Sequence, residues 1–230
     1  MGSKKKGFRT RTFRGFKMVK VSGFVHSTLD VPGKWSLVLF LPYCNFRCLH
    51  CHNWRVVLDI AEHVSLRRVL DEIKNSPFLE CVVISGGEPT VHRLDDLLRL
   101  VEDIRRANPS VRVRVDTNGS RPYMVRRLKK YVDGFAIDIK APLDSPEKWK
   151  HTTGVDINTK NIVESILEAD GMPLTIYRTV RYPWLKDEDL EKIREFVSSL
   201  KSPWQVNPFV WVEDCPFNER IYHTSGISPR

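Results

Sequence analysis

The chain has 230 residues, 37 Lys and Arg against 28 Asp and Glu, and a formal net charge of +9. At this length one domain can bury most of its apolar surface without a disulfide or metal staple, and 41% hydrophobic with 28% charged residues excludes collagen-like and wholly disordered classes. No uncharged apolar run approaches the ~18 residues that would cross a membrane, and the basic start is not followed by the apolar stretch of a secretory signal. A cytoplasmic protein with no membrane partner is the expectation.

The charge is uneven. Lys4, Lys5, Lys6, Arg9, Arg11, Arg14, Lys17 and Lys20 fall in residues 1–20 with no acid among them, and the other 210 residues carry 29 basic and 28 acidic side chains. Residues 1–20 therefore read as a basic flexible tail, solvated in the bland case and a handle for nucleic acid or an acidic partner in the sharper one.

In chain order, Ser36–Leu41 (SLVLFL) reads as a buried strand followed by a loop rich in cysteine. Leu66–Lys74 sets Leu66, Val69, Leu70 and Ile73 at helical spacing behind Ser65, a candidate N-cap. Cys81–Ile84 is a strand and Leu94–Ile104 the clearest helix. Val111–Val115, Phe135–Ile139, Leu174–Val180 and Gln205–Val210 read as further strands. Between them, Tyr123–Tyr131, Thr159–Ala169 and Glu188–Leu200 read as helices. About six β/α repeats result, so a parallel sheet is expected, either open and doubly wound or an incomplete barrel. No internal repeat or linker divides the chain; residues 21–211 form the expected core and 212–230 an irregular C-terminal segment.

The polar residues are placed more tellingly. Cys44–Cys51, Gly86–Glu88, Asp116–Asn118, Asp138 with Lys140, and Arg178 each lie at or just past the C-terminal end of a predicted strand, the edge where parallel α/β proteins bind ligands. Three of the five cysteines, Cys44, Cys48 and Cys51, fall within eight positions, a spacing that points to a metal or cluster rather than to disulfides. Three thiolates can ligate three irons of a 4Fe–4S cube and leave the fourth open. A Cys₃His zinc site using His50 or His52 is the rival, weakened because no second Cys/His knuckle follows. Cys81 reads as a buried apolar residue and Cys215 as incidental. Asp138 and Lys140 alternate with apolar neighbours and so share one face of their strand, as an ion pair or as ligand-binding groups. Gly86-Gly87-Glu88 would let backbone approach a ligand and offer a carboxylate to an ammonium group.

CxxxCxxC just after a first strand resembles the signature of the radical S-adenosylmethionine (SAM) superfamily. The wider string, Ser27-Thr28-Leu29-Asp30-Val31-Pro32-Gly33-Lys34, then Leu39-Phe40-Leu41, then CNFRCLHCHN, is similar to the glycyl-radical-enzyme activases, above all the activating proteins of anaerobic ribonucleoside-triphosphate reductase. The resemblance implies an incomplete (β/α)₆ barrel with parallel strands and an oxidoreductase with one 4Fe–4S cluster on Cys44, Cys48 and Cys51. S-adenosyl-L-methionine would bind the open iron. One electron, from a donor such as flavodoxin or ferredoxin, would cleave it to methionine and a 5′-deoxyadenosyl radical, which takes a hydrogen atom from a glycine of a partner glycyl radical enzyme. The resemblance further assigns Gly86, Gly87 and Glu88 to the methionine amino end, and Asp138, Lys140 and Arg178 to the cofactor. It assigns Asp116, Thr117 and Asp138 to a monovalent cation. Two positions depart from the pattern. His50 stands where an aromatic residue packs near adenine, and Tyr43 stands where glycine precedes the first cysteine. Two other functions share these motifs: a radical SAM enzyme that modifies RNA or a small metabolite, and a non-catalytic metal-binding module.

Overall fold

Strands form where β-branched and apolar residues run together, and their two faces serve two cores. The computed structural model describes residues 19–219; the basic tail through residue 18 and residues 220–230 lie outside the described residues, so the nucleic-acid handle and most of the irregular segment do too. A short strand, β1 (Phe24–Ser27), pairs antiparallel with β2 (Ser36–Leu41). From there β3 (Cys81–Gly86), β4 (Arg112–Thr117), β5 (Gly134–Asp138), β6 (Ile176–Val180) and β7 (Trp204–Asn207) add in parallel, each beside the one before it. The sheet runs β1 to β7 in chain order and does not pair its two edges. This is the incomplete barrel of six parallel strands, with β1 added at one edge.

Helices α1 (Trp54–Val57), α2 (Leu66–Asn75), α3 (Leu94–Ala107), α4 (Pro122–Leu128), α5 (Pro146–Thr153), α6 (Thr159–Ala169) and α7 (Asp187–Ser198) occupy the crossovers. Ser65 caps α2 by accepting from the Arg68 amide, and α3 begins with Asp95 and Asp96 and ends with Arg105 and Arg106, each sign at the helix end its dipole favours. Leu37, Leu39, Val82, Ile84, Val113 and Val115 point outward into the large core with Val69, Ile73, Leu97 and Ile104. At about 1.5–3 kcal/mol per fully buried aliphatic side chain, this layer supplies most of the driving force. The alternate residues Val38, Cys81 and Val83 face the barrel interior, where Val31 from the β1–β2 loop joins them in a second, small cluster. Cys81 is the buried apolar residue expected.

Several boundaries differ from the sequence reading, each for a local reason. β4 continues through Asp116 and Thr117, so the polar residues are part of the strand and not a loop after it. β7 stops at Asn207, before Pro208, which has no N–H to offer. β6 starts only at Ile176, because the Leu174 amide is turned toward the Asp133 carbonyl. The helix expected over Tyr123–Tyr131 runs from Pro122 to Leu128. β1, α1 and α5 were not expected; α5 seats Trp149 with no exposure at all.

Candidate active site

The C-terminal ends of β2 to β7 surround a cavity of about 470 Å³ that Cys44, Cys48, Cys51, Asp138, Lys140 and Arg178 line together. The five strand-end clusters meet there.

The cysteine loop leaves β2 through Tyr43, whose φ of 69° is the left-handed conformation that glycine adopts at no steric cost. That is the physical content of the departure at this position. The tyrosine hydroxyl donates to Asp59 at 2.6 Å, and the loop amides of Arg47 and Leu49 donate to Thr153 and Thr152 at the end of α5, at 2.8 and 3.0 Å. All three loop cysteines are half-buried and free of disulfides. Burial, reinforced by nearby charges including Glu88 and the Cys48 thiol, pushes the Cys44 thiol up to about 12; burial and Cys48 do the same to Cys51, also to about 12. Iron binding must therefore displace protons that the bare loop would keep at neutral pH. Among the described residues no three His, Cys, Asp or Glu side chains converge tightly enough to hold one metal ion. Three soft thiol donors from one loop that line one cavity suit the irons of a 4Fe–4S cube.

His50 is 7% exposed, its ring edge-on to Phe209 and Trp211. Nδ1 lies 3.2 Å from the Val212 amide, the Val212 carbonyl oxygen and the Asn218 side-chain nitrogen alike, so Val212 and Asn218 hold the ring through this one atom. Nε2 is buried and has no partner among the described residues. Burial lowers the pKa of the ring and keeps it neutral. Residues 212–218, from the segment expected to be irregular, form with Phe209 and Trp211 a strap across the cysteine loop, tied by Arg55 to Asp214 at 2.7 Å. Cys215 is buried in this strap, 3% exposed, and not in a loose tail.

Gly86 and Gly87 allow a close approach, but the approaching group is the protein's own backbone. A Cβ on Gly87 would lie 2.0 Å from the Tyr43 carbonyl oxygen, and one on Gly86 2.4 Å from the Leu41 nitrogen. The Gly86 carbonyl accepts from Asn53 Nδ2 at 2.9 Å. Glu88, 1% exposed, receives the Thr90 amide and hydroxyl, the Thr117 hydroxyl and the Asn118 amide at 2.6–2.9 Å. Burial raises its pKa against those donors. The carboxylate therefore clamps the end of β4 against the end of β3.

Across the cavity runs a chain of alternating charges. Arg114 meets Asp116, Asp116 meets Arg178 at 2.9 Å, Arg178 meets Asp138 at 3.2 Å, and Asp138 meets Lys140 at 3.0 Å. Register explains the reach: Asp138 faces Arg178 directly, and Asp116 faces Ala136, whose single methyl leaves room for the guanidinium to pass. Burial opposes ionisation of Asp138, but Lys140 and Arg178 outweigh it and hold its carboxyl below its ordinary value. Burial likewise opposes the charges of Lys140 and Arg178, and their aspartate partners keep both above their ordinary values. Tyr182 closes this wall, 6% exposed, stacked on Trp184; burial raises its phenol pKa, so it stays a hydrogen-bond donor.

Arg114, Tyr182, Asn53 and the strap are missing from the sequence reading. Arg114 had a signal: it stands two residues before Asp116 in a strand, on the same face.

An open parallel half-barrel carries three thiols in one loop at its mouth, facing a chain of alternating charges, and this donor set suits an iron–sulfur cluster. The chain belongs to the radical SAM superfamily, whose profile matches residues 38–198. It is related to the glycyl-radical enzyme activases. Over 183 residues it is 31% identical to a protein of Methanocaldococcus jannaschii named as a glycyl-radical enzyme activating enzyme, spanning 77% of this chain and 75% of that one. It is 30% identical over an alignment of 235 positions, gaps included, to the pyruvate formate-lyase-activating enzyme of Streptococcus mutans, spanning 91% of this chain and 87% of that one. Methylornithine synthase, a crystal structure, shares the fold with a TM-score of 0.57 at 11% identity, over 76% of this chain and about half, 53%, of that one.

Proposed function

We propose that this enzyme installs a glycyl radical in a partner enzyme, and that the partner is an anaerobic ribonucleotide reductase. The observation that carries the reading is the single cavity in which three loop thiols face the Asp138–Lys140–Arg178 group. The relatives' names supply the reaction class, and the CNFRCLHCHN string the choice of reductase. Cys44, Cys48 and Cys51 would hold the cluster. The ends of β3, β5 and β6 would hold S-adenosylmethionine, with Lys140 and Arg178 presenting positive charge to its carboxylate and the His50 ring facing its adenosyl part. Together the bound cluster and cofactor supply one-electron chemistry that ends in removal of a hydrogen atom from substrate. The chain's own part is to exclude water, orient the cofactor and leave the mouth accessible to a protein loop. The setting is the cytoplasm, with flavodoxin or ferredoxin as electron source.

The test is anaerobic reconstitution with iron and sulfide, then electron paramagnetic resonance (EPR) of the reduced protein with and without S-adenosylmethionine. A 4Fe–4S signal that changes with the cofactor, followed by a glycyl-radical doublet when the reductase is added, is the expected result. Cleavage of the cofactor with no radical on the reductase would overturn the choice of partner. A cluster indifferent to the cofactor would overturn the enzyme reading of this cavity.

A further inference from the structure

The resemblance assigns Asp116, Thr117 and Asp138 to an alkali cation beside the cofactor. In this chain each of those groups already has partners from the protein. Arg114, 1% exposed, sets Nε and Nη2 on the two Asp116 oxygens at 2.9 and 3.3 Å. Arg178 adds Nη1 on Oδ2 at 2.9 Å. Asp138 accepts from Arg178 Nε at 3.2 Å and from Lys140 Nζ at 3.0 Å. The Thr117 hydroxyl donates to Glu88 Oε1 at 2.7 Å and accepts from the Gly119 amide at 3.2 Å.

Charge decides the outcome. Along the chain from Arg114 to Lys140 two carboxylates stand among three cations, so this chain carries one net positive charge before any ion arrives, and Glu88, behind Thr117, is already taken up by four donors. A hard monovalent ion selects oxygens with uncompensated negative charge, and here it would have to enter among three like charges and break guanidinium hydrogen bonds. Arg114 is also anchored at its far side, since Nη1 donates to the Asp30 carbonyl at 2.7 Å in the loop that plugs the barrel floor. The fork geometry on Asp116 is the bidentate pairing that arginine makes with a carboxylate and a spherical ion cannot.

We propose that Arg114 is the chain's own counter-cation for Asp116, standing where an alkali ion would, so that this enzyme binds S-adenosylmethionine without one. Arg114 is a positioning residue. It neutralises Asp116, which in turn holds Arg178, and the surplus positive charge of the group faces the cofactor's carboxylate. The inference rests on the cofactor-binding part of the proposed function and not on which protein is activated.

The test uses the reconstituted holoenzyme in sodium, potassium and tetramethylammonium chloride at matched ionic strength. S-adenosylmethionine affinity is read from the EPR change of the reduced cluster, and the melting midpoint is taken in parallel without the cofactor. Affinities equal to within about twofold in the three salts, and midpoints without preference among them, are expected. A saturable gain of about tenfold or more from sodium or potassium over tetramethylammonium would overturn the proposal. Arg114→Met, which leaves Asp116 short of one cation, is expected to acquire such a preference, and a folded variant that stays indifferent would count against it. Arg114→Lys keeps the charge and is expected to remain indifferent to the salt; a sodium or potassium preference there would count against the proposal. If Arg114→Met does not fold, the wild type and Arg114→Lys decide. Absence of a glycyl radical on the reductase would strike the proposed function and leave these binding results standing.

Discussion

On the β2–β3 side of the cavity, burial pushes the Cys44 and Cys51 thiols up to about 12 and His50 Nε2 has no partner among the described residues; on the β4–β6 side, five charged groups pair with one another. Both walls belong to the same fold, yet one presents soft thiols suited to a metal and the other pairs its charges among its own side chains. The difference shows that burial alone does not mark a binding site. Unfulfilled chemistry does, and its counterpart is a rigid wall against which a ligand can be placed.

The largest effect should come from the thiol wall. Ala at Cys44, Cys48 or Cys51 should bring cluster iron and cofactor cleavage to background while far-ultraviolet circular dichroism stays unchanged; a variant that keeps its EPR signal would erase the distinction between the walls. The charge-paired wall should instead report in stability. Arg178→Met leaves buried Asp116 and half-buried Asp138 short of a donor and should cost about 2–4 kcal/mol in urea unfolding, whereas Arg126→Met, whose partners Glu164 and Glu168 sit on the outer helices, should leave the urea midpoint nearly unchanged. Equal costs for the two would show that the charge chain is solvated. Between the walls, Gly87→Ala places a methyl on the Tyr43 carbonyl and should lower stability by about 1–3 kcal/mol, read from the thermal midpoint. Tyr182→Phe removes only a hydroxyl at the mouth; about threefold to tenfold weaker S-adenosylmethionine binding with an unchanged midpoint is expected.

The smallest effect lies just outside the cavity, where donation by the Tyr43 hydroxyl and Lys20, with His63 beside them, lowers the Asp59 carboxyl to about 2 from 3.8. Because the folded value lies below the unfolded one, this stabilisation is full above about pH 4 and is lost as pH falls toward 2. Asp59→Asn should therefore be less stable than wild type at pH 5 and equal to it at pH 2. A constant difference across that range, in urea midpoints, would break the assignment.

The sequence made the parallel strands legible because their apolar runs are bounded by helices with clear spacing, as in Cys81–Gly86 and Leu94–Ala107. The loop thiols were legible by their crowding. Helix α5 was not, since PEKWKHTT has little amphipathic pattern, although Ser145-Pro146 with Glu147 is a usable start signal. The interplay of Arg114 with Asp116 was within reach through strand alternation. Its contact with the Asp30 carbonyl was not, because it joins residues 84 apart in sequence through a loop with no periodic pattern.

The strap over His50 also has a kinetic side. The bond from the His50 amide to Asn218 spans 168 residues, whereas β2 to β4 assemble from neighbours in the chain. Closing so long a loop is entropically late, so during folding the barrel exists before its cysteine loop is sealed, and iron meets an open harbour that later shuts. A pulse of hydrogen exchange during refolding should find the His50 amide protected after those of Val82 to Ile84.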